Sequence, residues 1–418
     1  MTKRGYRSMV EGLETSRRSF LKLGGAVGAA MLMGNPAAWA AKRVEKGAPK
    51  PARPRTNIDE ALAVPRGPHA LPGPFPGRVT EVHDAAALTG DGKPVADAVR
   101  AMFERGLAEL AGETPAAAWR RFFTPDDVVG IKVNPVGAGL ISTRLELVDA
   151  VVAWLEAGGL PRGNIVIWDR FDYMLFDAGF TPERYPGIDC VGLQTMDEAA
   201  YMDPDGDQGG WLRADGTHVS AGEFDPDAYY WAEVEGPQRD AADPHKDVAA
   251  KQYLNQHVFN GEHSYFGKLL TRRLTKIVNL PVVKNTGNGI SVATKNLGYG
   301  AVCNTGRLHQ PLSFEVNTEV LAFPWVRDKL VLNVADGLVA QYEGGPMPNA
   351  EFTWPLSKLF VATDPFALDR VCHDLLVAKR REMGIAVNEH PIFTEYLRYG
   401  ERLELGVADP ERIDHRRV

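Results

Sequence analysis

The chain has 418 residues, of which 44% are hydrophobic and 24% charged, with a formal net charge of −7 at pH 7. That balance is globular; acidic groups outnumber scattered basic ones, which excludes a polycationic nucleic-acid binder. Three widely spaced cysteines, Cys190, Cys303 and Cys372, without a C-x-x-C pair, exclude a disulfide scaffold and a ferredoxin-type iron–sulfur motif.

The N-terminus carries Ser16-Arg17-Arg18-Ser19-Phe20-Leu21-Lys22, an apolar run from Leu23 to Met33, and then Ala38-Trp39-Ala40. Paired arginines, a short h-region and an A-x-A-like end make residues 1–40 a twin-arginine export signal. Gly24, Gly25 and Gly28 break the run, which is too short to span a bilayer, so no stable membrane span survives cleavage. The expected partner is the twin-arginine translocase, which carries folded proteins, and the expected location is the periplasm or another exported compartment. In that oxidising setting one disulfide stays open, but three buried, inert thiols are the favoured reading.

Residues 41–76 are rich in Pro, Ala and Arg with little apolar periodicity, and read as an extended arm. From residue 77 to 418 the pattern is α/β: a mainly parallel sheet flanked by helices. Val128–Asn134 reads as a buried strand, and Thr143-x-x-Glu146 as a capping box opening a helix from Arg144 to Ala157. Leu145, Val148, Val151, Val152 and Leu155 share one helical face, and Asn164–Trp168 is the next strand, which completes a right-handed β-α-β unit. About 196–251 follows an irregular insertion crowded with Asp, Gly and Pro, read as a cap or long loops. Its Asp203-x-Asp205-x-Asp207 resembles the start of a calcium loop, but Gln208 stands where glycine is required and no Glu follows at the twelfth position, so a solvated acidic turn is preferred. Lys276–Leu280, Leu330–Val334 and Leu359–Thr363 read as further strands, and Asp364-Pro365 as the N-cap and first turn of a helix.

Ligands in open α/β sheets bind beyond the carboxyl ends of the strands, and polar residues collect there. Lys132 and Asn134 close the first strand, Asp169 and Arg170 the second, and Asp336 follows a later one. Lys284-Asn285, Lys295-Asn296, Arg307 and His309 come from the connecting region between. Ammonium groups and amide N–H donors suit carboxylate or phosphate oxygens. Lys132, Asn134, Lys284, Asn296 and Arg307 are therefore candidate ligands of a small anion. His309 is the natural acid–base, with Lys295 beside it as a catalytic candidate. Asp336, Asp364 and Asp369 could ligate a cation, although Asp364 is equally an N-cap and Asp369 a brace between elements.

Gly130-Ile-Lys-Val-Asn134, Asn279-Leu-Pro-Val-Val-Lys284, Thr294-Lys-Asn-Leu-Gly298 and Asp364-Pro-Phe-Ala-Leu-Asp369 resemble the domain-of-unknown-function 362 family. Arg307-x-His309 and Asp336-Gly337 … Glu343-Gly-Gly-Pro346 fit the same order, and the resemblance spans about residues 125 to 410. It implies a shared fold and polar site and no particular reaction. Many relatives carry an added ferredoxin-type Cys module, which this chain lacks. Two functional classes follow. One is an exported enzyme, redox or acid–base, acting on a small anionic substrate, with a metal or cofactor loaded before export. The other is a non-catalytic factor that binds or matures a cofactor, metal or cluster.

Overall fold

A computed structural model describes residues 53–194, 224–234, 262–287, 289–305, 308 and 315–418. The signal segment, the start of the arm, Asp203-x-Asp205-x-Asp207, Arg307 and His309 lie outside the described residues.

The β-branched runs form strands because their side chains are buried on both faces of one sheet. The strands are β1 (Arg78–His83), β2 (Val129–Lys132), β3 (Ile165–Phe171), β4 (Asp189–Gln194), β5 (Phe224–Trp231) and β6 (His263–Gly267). They continue as β7 (Lys276–Asn279), β8 (Val282–Thr286), β9 (Gly289–Ile290), β10 (Leu330–Gln341), β11 (Thr353–Ala362) and β12 (Asp414–Arg417). The large sheet runs β12-β1-β11-β10-β7-β2-β3-β4, with β8 joined to β10 and β9 to β8. Along that path only β11 runs against its neighbours. The β2–helix–β3 crossover read from the sequence is present, with Lys132 opposite Trp168 and, on its other side, Asn279.

Alternation along the strands separates two cores. Ile165 and Ile167 join a cluster with Phe103, Trp119, Val148, Val151 and Leu155, from the helices Ala96–Ala111, Pro115–Phe122 and Leu145–Ala157. Val166 and Trp168 face the other way, toward Leu297, Val316, Val320 and Leu397 of the helices Ala293–Gly298, Glu315–Ala322 and Glu395–Arg402. The helix Pro365–Glu382 supplies Leu368, Cys372 and Leu376 to a third cluster with Val283 and Phe360. Lys132 and Trp168, paired in register, carry their side chains into contact at 5.5 Å on the second face.

Three local readings change. The Thr143 capping box does not form. Thr143 Oγ1 instead accepts from the Asn134 N–H at 2.8 Å and donates to the Leu280 carbonyl at 2.7 Å, and Arg144 is the N-cap. Part of the segment read as loops is strand β5, antiparallel to β6, with Phe224, Ala228 and Tyr230 buried. Its Asp225-Pro226-Asp227 run reads as a turn in sequence because it is a bulge, where the register shifts between Phe224 and Tyr229. From Arg53 onward the arm is seated on the body. Asn57 bonds to Trp231, Ala61 and Leu71 are buried, and Arg327 donates to the Ala61 and Pro65 carbonyls.

Candidate functional site

The carboxyl ends of β2, β3 and β7 meet at one level of the sheet, where Lys132 pairs with Trp168 and Asn279. Asn279 pairs with Asn333 in the first half of β10, a strand that runs on to Gln341, so that Asp336 lies within it and does not follow it. Asp336 lies three residues further along β10 at the same edge. The structure brings Lys132, Asn134, Lys284, Lys295 and Asn296 together there, as the strand-end argument expects.

These residues are joined by a chain of buried hydrogen bonds. Lys132 is 1% exposed, and its ammonium donates to Asp169, to the Val133 carbonyl at 2.8 Å and to Asn296 Oδ1 at 3.1 Å. Asn134 Nδ2 also donates to Asn296 Oδ1, at 3.1 Å. Asn296 Nδ2 passes the direction on to Asn279 Oδ1 at 2.8 Å, and Asn279 Nδ2 donates to Asn333 Oδ1 at 2.9 Å. Asn333 Nδ2 ends the series on the Thr363 carbonyl at 3.2 Å. Aligned amides in a low-dielectric interior polarise one another, and each broken link would strand a buried polar group.

Lysine chemistry divides along this network. Lys132 has spent its three hydrogens and faces a carboxylate, so it is a structural ion-pair member that cannot also grip a ligand. Burial lowers its pKa, opposed by Asp169. Lys284 is equally buried but donates only to Asn134 Oδ1 at 2.8 Å and the Val136 carbonyl at 3.1 Å. Lys295 donates only to Thr286 Oγ1 at 3.1 Å and lies 5.5 Å from the Tyr299 ring centre. No carboxylate of the described residues is in ion-pair range of either. Burial, then the nearby charge of Lys295, brings the Lys284 pKa down to about 7. Lys295 as a whole keeps some exposure, but crowding around its ammonium lowers it to about 8.

The three aspartates proposed as metal ligands are used otherwise. Asp336 Oδ2 accepts the Arg144 N–H at 2.8 Å and its Oδ1 the Leu338 N–H at 3.0 Å, which makes it the anchor for the start of helix 145–157. Asp364 caps helix 365–382 through the Phe366 and Ala367 N–H groups, and its second oxygen accepts from Gly77 and Val407. Asp369 accepts from the Ala293 and Thr294 N–H groups, the Thr294 hydroxyl and the Tyr396 hydroxyl. Burial pushes Asp364 and Asp369 up to about 6, against the pull of these donors. Among the described residues no group of three or more His, Cys, Asp or Glu side chains is placed to hold a metal ion. The cysteines add no donor set. Cys303 and Cys372 are buried thiols, while Cys190, expected to be buried, is partly exposed; all three are free, and burial pushes Cys190 up to about 12. A metal or cluster therefore has no fitting ligand set in the described part of the chain.

Sequence reasoning missed Asn279, Asn333, Thr286 and Gly300. The two asparagines were signalled by amides interrupting otherwise apolar strands, where a buried polar side chain must find a partner. Gly300 is required by proximity: a Cβ there would lie 2.3 Å from the Asn296 carbonyl oxygen and 2.4 Å from Lys132 Cε.

Residues 241–374 match the family model described as Domain of unknown function (DUF362), a narrower span than the resemblance drawn from the motifs. It contains Asn279, Lys284, Lys295, Asn296, Asn333 and the three aspartates, while Lys132, Asn134 and Asp169 come from outside it. Residues 14–34 match the twin-arginine translocation pathway signal sequence, which marks the chain for export across the membrane by that translocase. No helix of the described residues is long and apolar enough to cross a membrane. No curated protein and no solved structure matches the chain.

Proposed function

We propose that this exported protein binds a small anionic ligand at the carboxyl edge of its sheet, with the Lys295 ammonium as the principal contact and Lys284 beside it. One observation carries the reading. Among the described residues neither Lys284 nor Lys295 has a carboxylate in ion-pair range, Asp169 acting on Lys284 only from further off, while the neighbouring Lys132 pairs with Asp169 directly. Uncompensated buried charge is unfavourable, and an anion is what removes the penalty. Asn134 accepts from Lys284 and Thr286 from Lys295, while Asn296 accepts from Lys132; the amide groups of both asparagines are occupied within the network. The lysines suit a small anion, whether an enzyme turns it over or a non-catalytic factor only carries it.

Titration calorimetry of the mature protein against inorganic phosphate, sulfate and succinate tests this. Binding should weaken tenfold to hundredfold in Lys295→Met, since a charge-assisted contact is worth about 1.5–3 kcal/mol. Equal affinity in wild type, Lys284→Met and Lys295→Met would remove the basis for the site.

A further inference from the structure

Among the described residues Lys284 has two hydrogen-bond acceptors, Asn134 Oδ1 and the Val136 carbonyl, and no third. An ammonium has three hydrogens to place, whereas a neutral amine has two and a lone pair. The surroundings thus satisfy both hydrogens of the amine, leaving its lone pair unclaimed, and the ammonium incompletely. Lys295 is bound differently: one hydrogen goes to Thr286 and the others are free for a ligand. Thr286 lies two positions along β8 from Lys284 on the same face, at the other end of a short stretch, with its Cα about 7 Å from that of Lys284 along the strand, and its hydroxyl brings the Lys295 ammonium from helix 293–298 to that face. The β8–β9 hairpin, turning at Gly287 with φ 55°, keeps both ends of that stretch over the sheet edge.

We infer that Lys284 is a covalent-capture residue: its nitrogen condenses with the carbonyl of a short anionic aldehyde or ketone whose carboxylate or phosphate rests on Lys295. The inference depends on the anion-site reading and adds the class of ligand and the bond it forms. The Lys284 lone pair attacks the carbonyl carbon, and the C=O π electrons move to oxygen, giving a carbinolamine. That oxygen takes up protons and leaves as water as the C=N bond forms, so amine plus carbonyl yields imine plus water with no oxidant or reductant. A lysine next to a second cation is poised for this step, since the amine is populated near neutrality. Lys295, the more exposed of the two, meets the anionic end first and supplies a proton donor beside the departing hydroxyl.

The experiment is reductive trapping. The mature exported protein at pH 7.5 is incubated with glyoxylate, pyruvate or glycolaldehyde phosphate and then sodium cyanoborohydride, followed by intact-mass measurement and peptide mapping. With at least one of the three, a single adduct should map to Lys284 and be absent in Lys284→Arg, which keeps the charge. It should fall by tenfold or more in Lys295→Met, the loss expected from one charge-assisted contact. Adducts spread over surface lysines, or an unmodified Lys284 with all three compounds, would overturn covalent capture. An adduct at Lys284 that is indifferent to Lys295→Met would overturn the anchoring role. A melting-temperature series with inorganic phosphate on the same samples separates the two readings. Stabilisation of wild type but not of Lys295→Met, with Lys284 unmodified, ends the imine and keeps the anion site; no stabilisation ends both.

Discussion

Replacing Lys284 by Met should flatten the pH dependence of stability. The unfolded lysine holds its proton up to about 10.5, while the folded one releases it near 7. Between those values the unfolded state binds more protons, so stability rises with pH through that window, and the full penalty of burying the charge is felt below it. At about 1.4 kcal/mol for each tenfold change, the whole window is worth roughly 5 kcal/mol, and the interval from pH 7 to 9 roughly 2 kcal/mol, because at pH 7 the folded lysine has released only half its protons. Methionine has nothing to titrate. Its absolute stability is harder to forecast, because Asn134 Oδ1 and the Val136 carbonyl lose their donor at about 1–3 kcal/mol each. The difference in slope is free of that ambiguity, since groups not coupled to Lys284 cancel, and Lys295, which is coupled to it, titrates in the same window. Urea unfolding of the mature protein, followed by tryptophan fluorescence under reducing conditions from pH 6.5 to 9, measures it. Wild type should gain about 2 kcal/mol more than Lys284→Met from pH 7 to 9. Parallel stability curves would refute the reasoning, because Lys284 would then have to be as well solvated or as well paired in the fold as in the unfolded chain.

Asp364→Ala should cost about 3 kcal/mol or more in denaturant unfolding, because four backbone N–H groups lose their acceptor at once; a loss under about 1 kcal/mol would contradict the stapling role. Gly300→Ala should destabilise by about 1–3 kcal/mol through overpacking against the Asn296 carbonyl and Lys132. It should also weaken phosphate binding by displacing the network, and an unaffected calorimetric titration would count against that coupling. Arg17→Lys with Arg18→Lys should leave the precursor in the cytoplasm on fractionation, since Lys cannot reproduce the guanidinium donor fork. Unchanged export would show that the arginine pair is dispensable.

Much of this was legible in the residues. Apolar runs closed by Lys or Asn gave the parallel strands and their polar edge, because burial of both faces dictates the run and the edge dictates the polar end. Grouping of Lys132, Lys284, Lys295 and Asn296 followed from the same logic. What each residue does there was not legible. Asp336, Asp364 and Asp369 carry the formal charge of metal ligands, and only the tertiary approach of Arg144, Gly77, Val407 and Ala293 shows that backbone amides claim them. Thr143 fits a capping signature, yet the Leu280 carbonyl, distant in sequence, takes its hydroxyl. Lys132 and Lys284 look alike in sequence, but only Lys132 lies beside Asp169, in range for an ion pair.

The order of strands at one side of the sheet has a consequence for biosynthesis. β1 lies between β11 and β12, so the first strand of the sheet is held by the last two. While ribosomes are still making the middle of the chain, Arg78–His83 has no partner for either edge. Its row of backbone donors and acceptors must stay solvated or be shielded by a chaperone until residues 353–362 and 414–417 emerge. A translocase that accepts only folded cargo would thereby discriminate against prematurely terminated chains: a product stopping before residue 414 presents its export signal on a body whose first strand is still half unpaired.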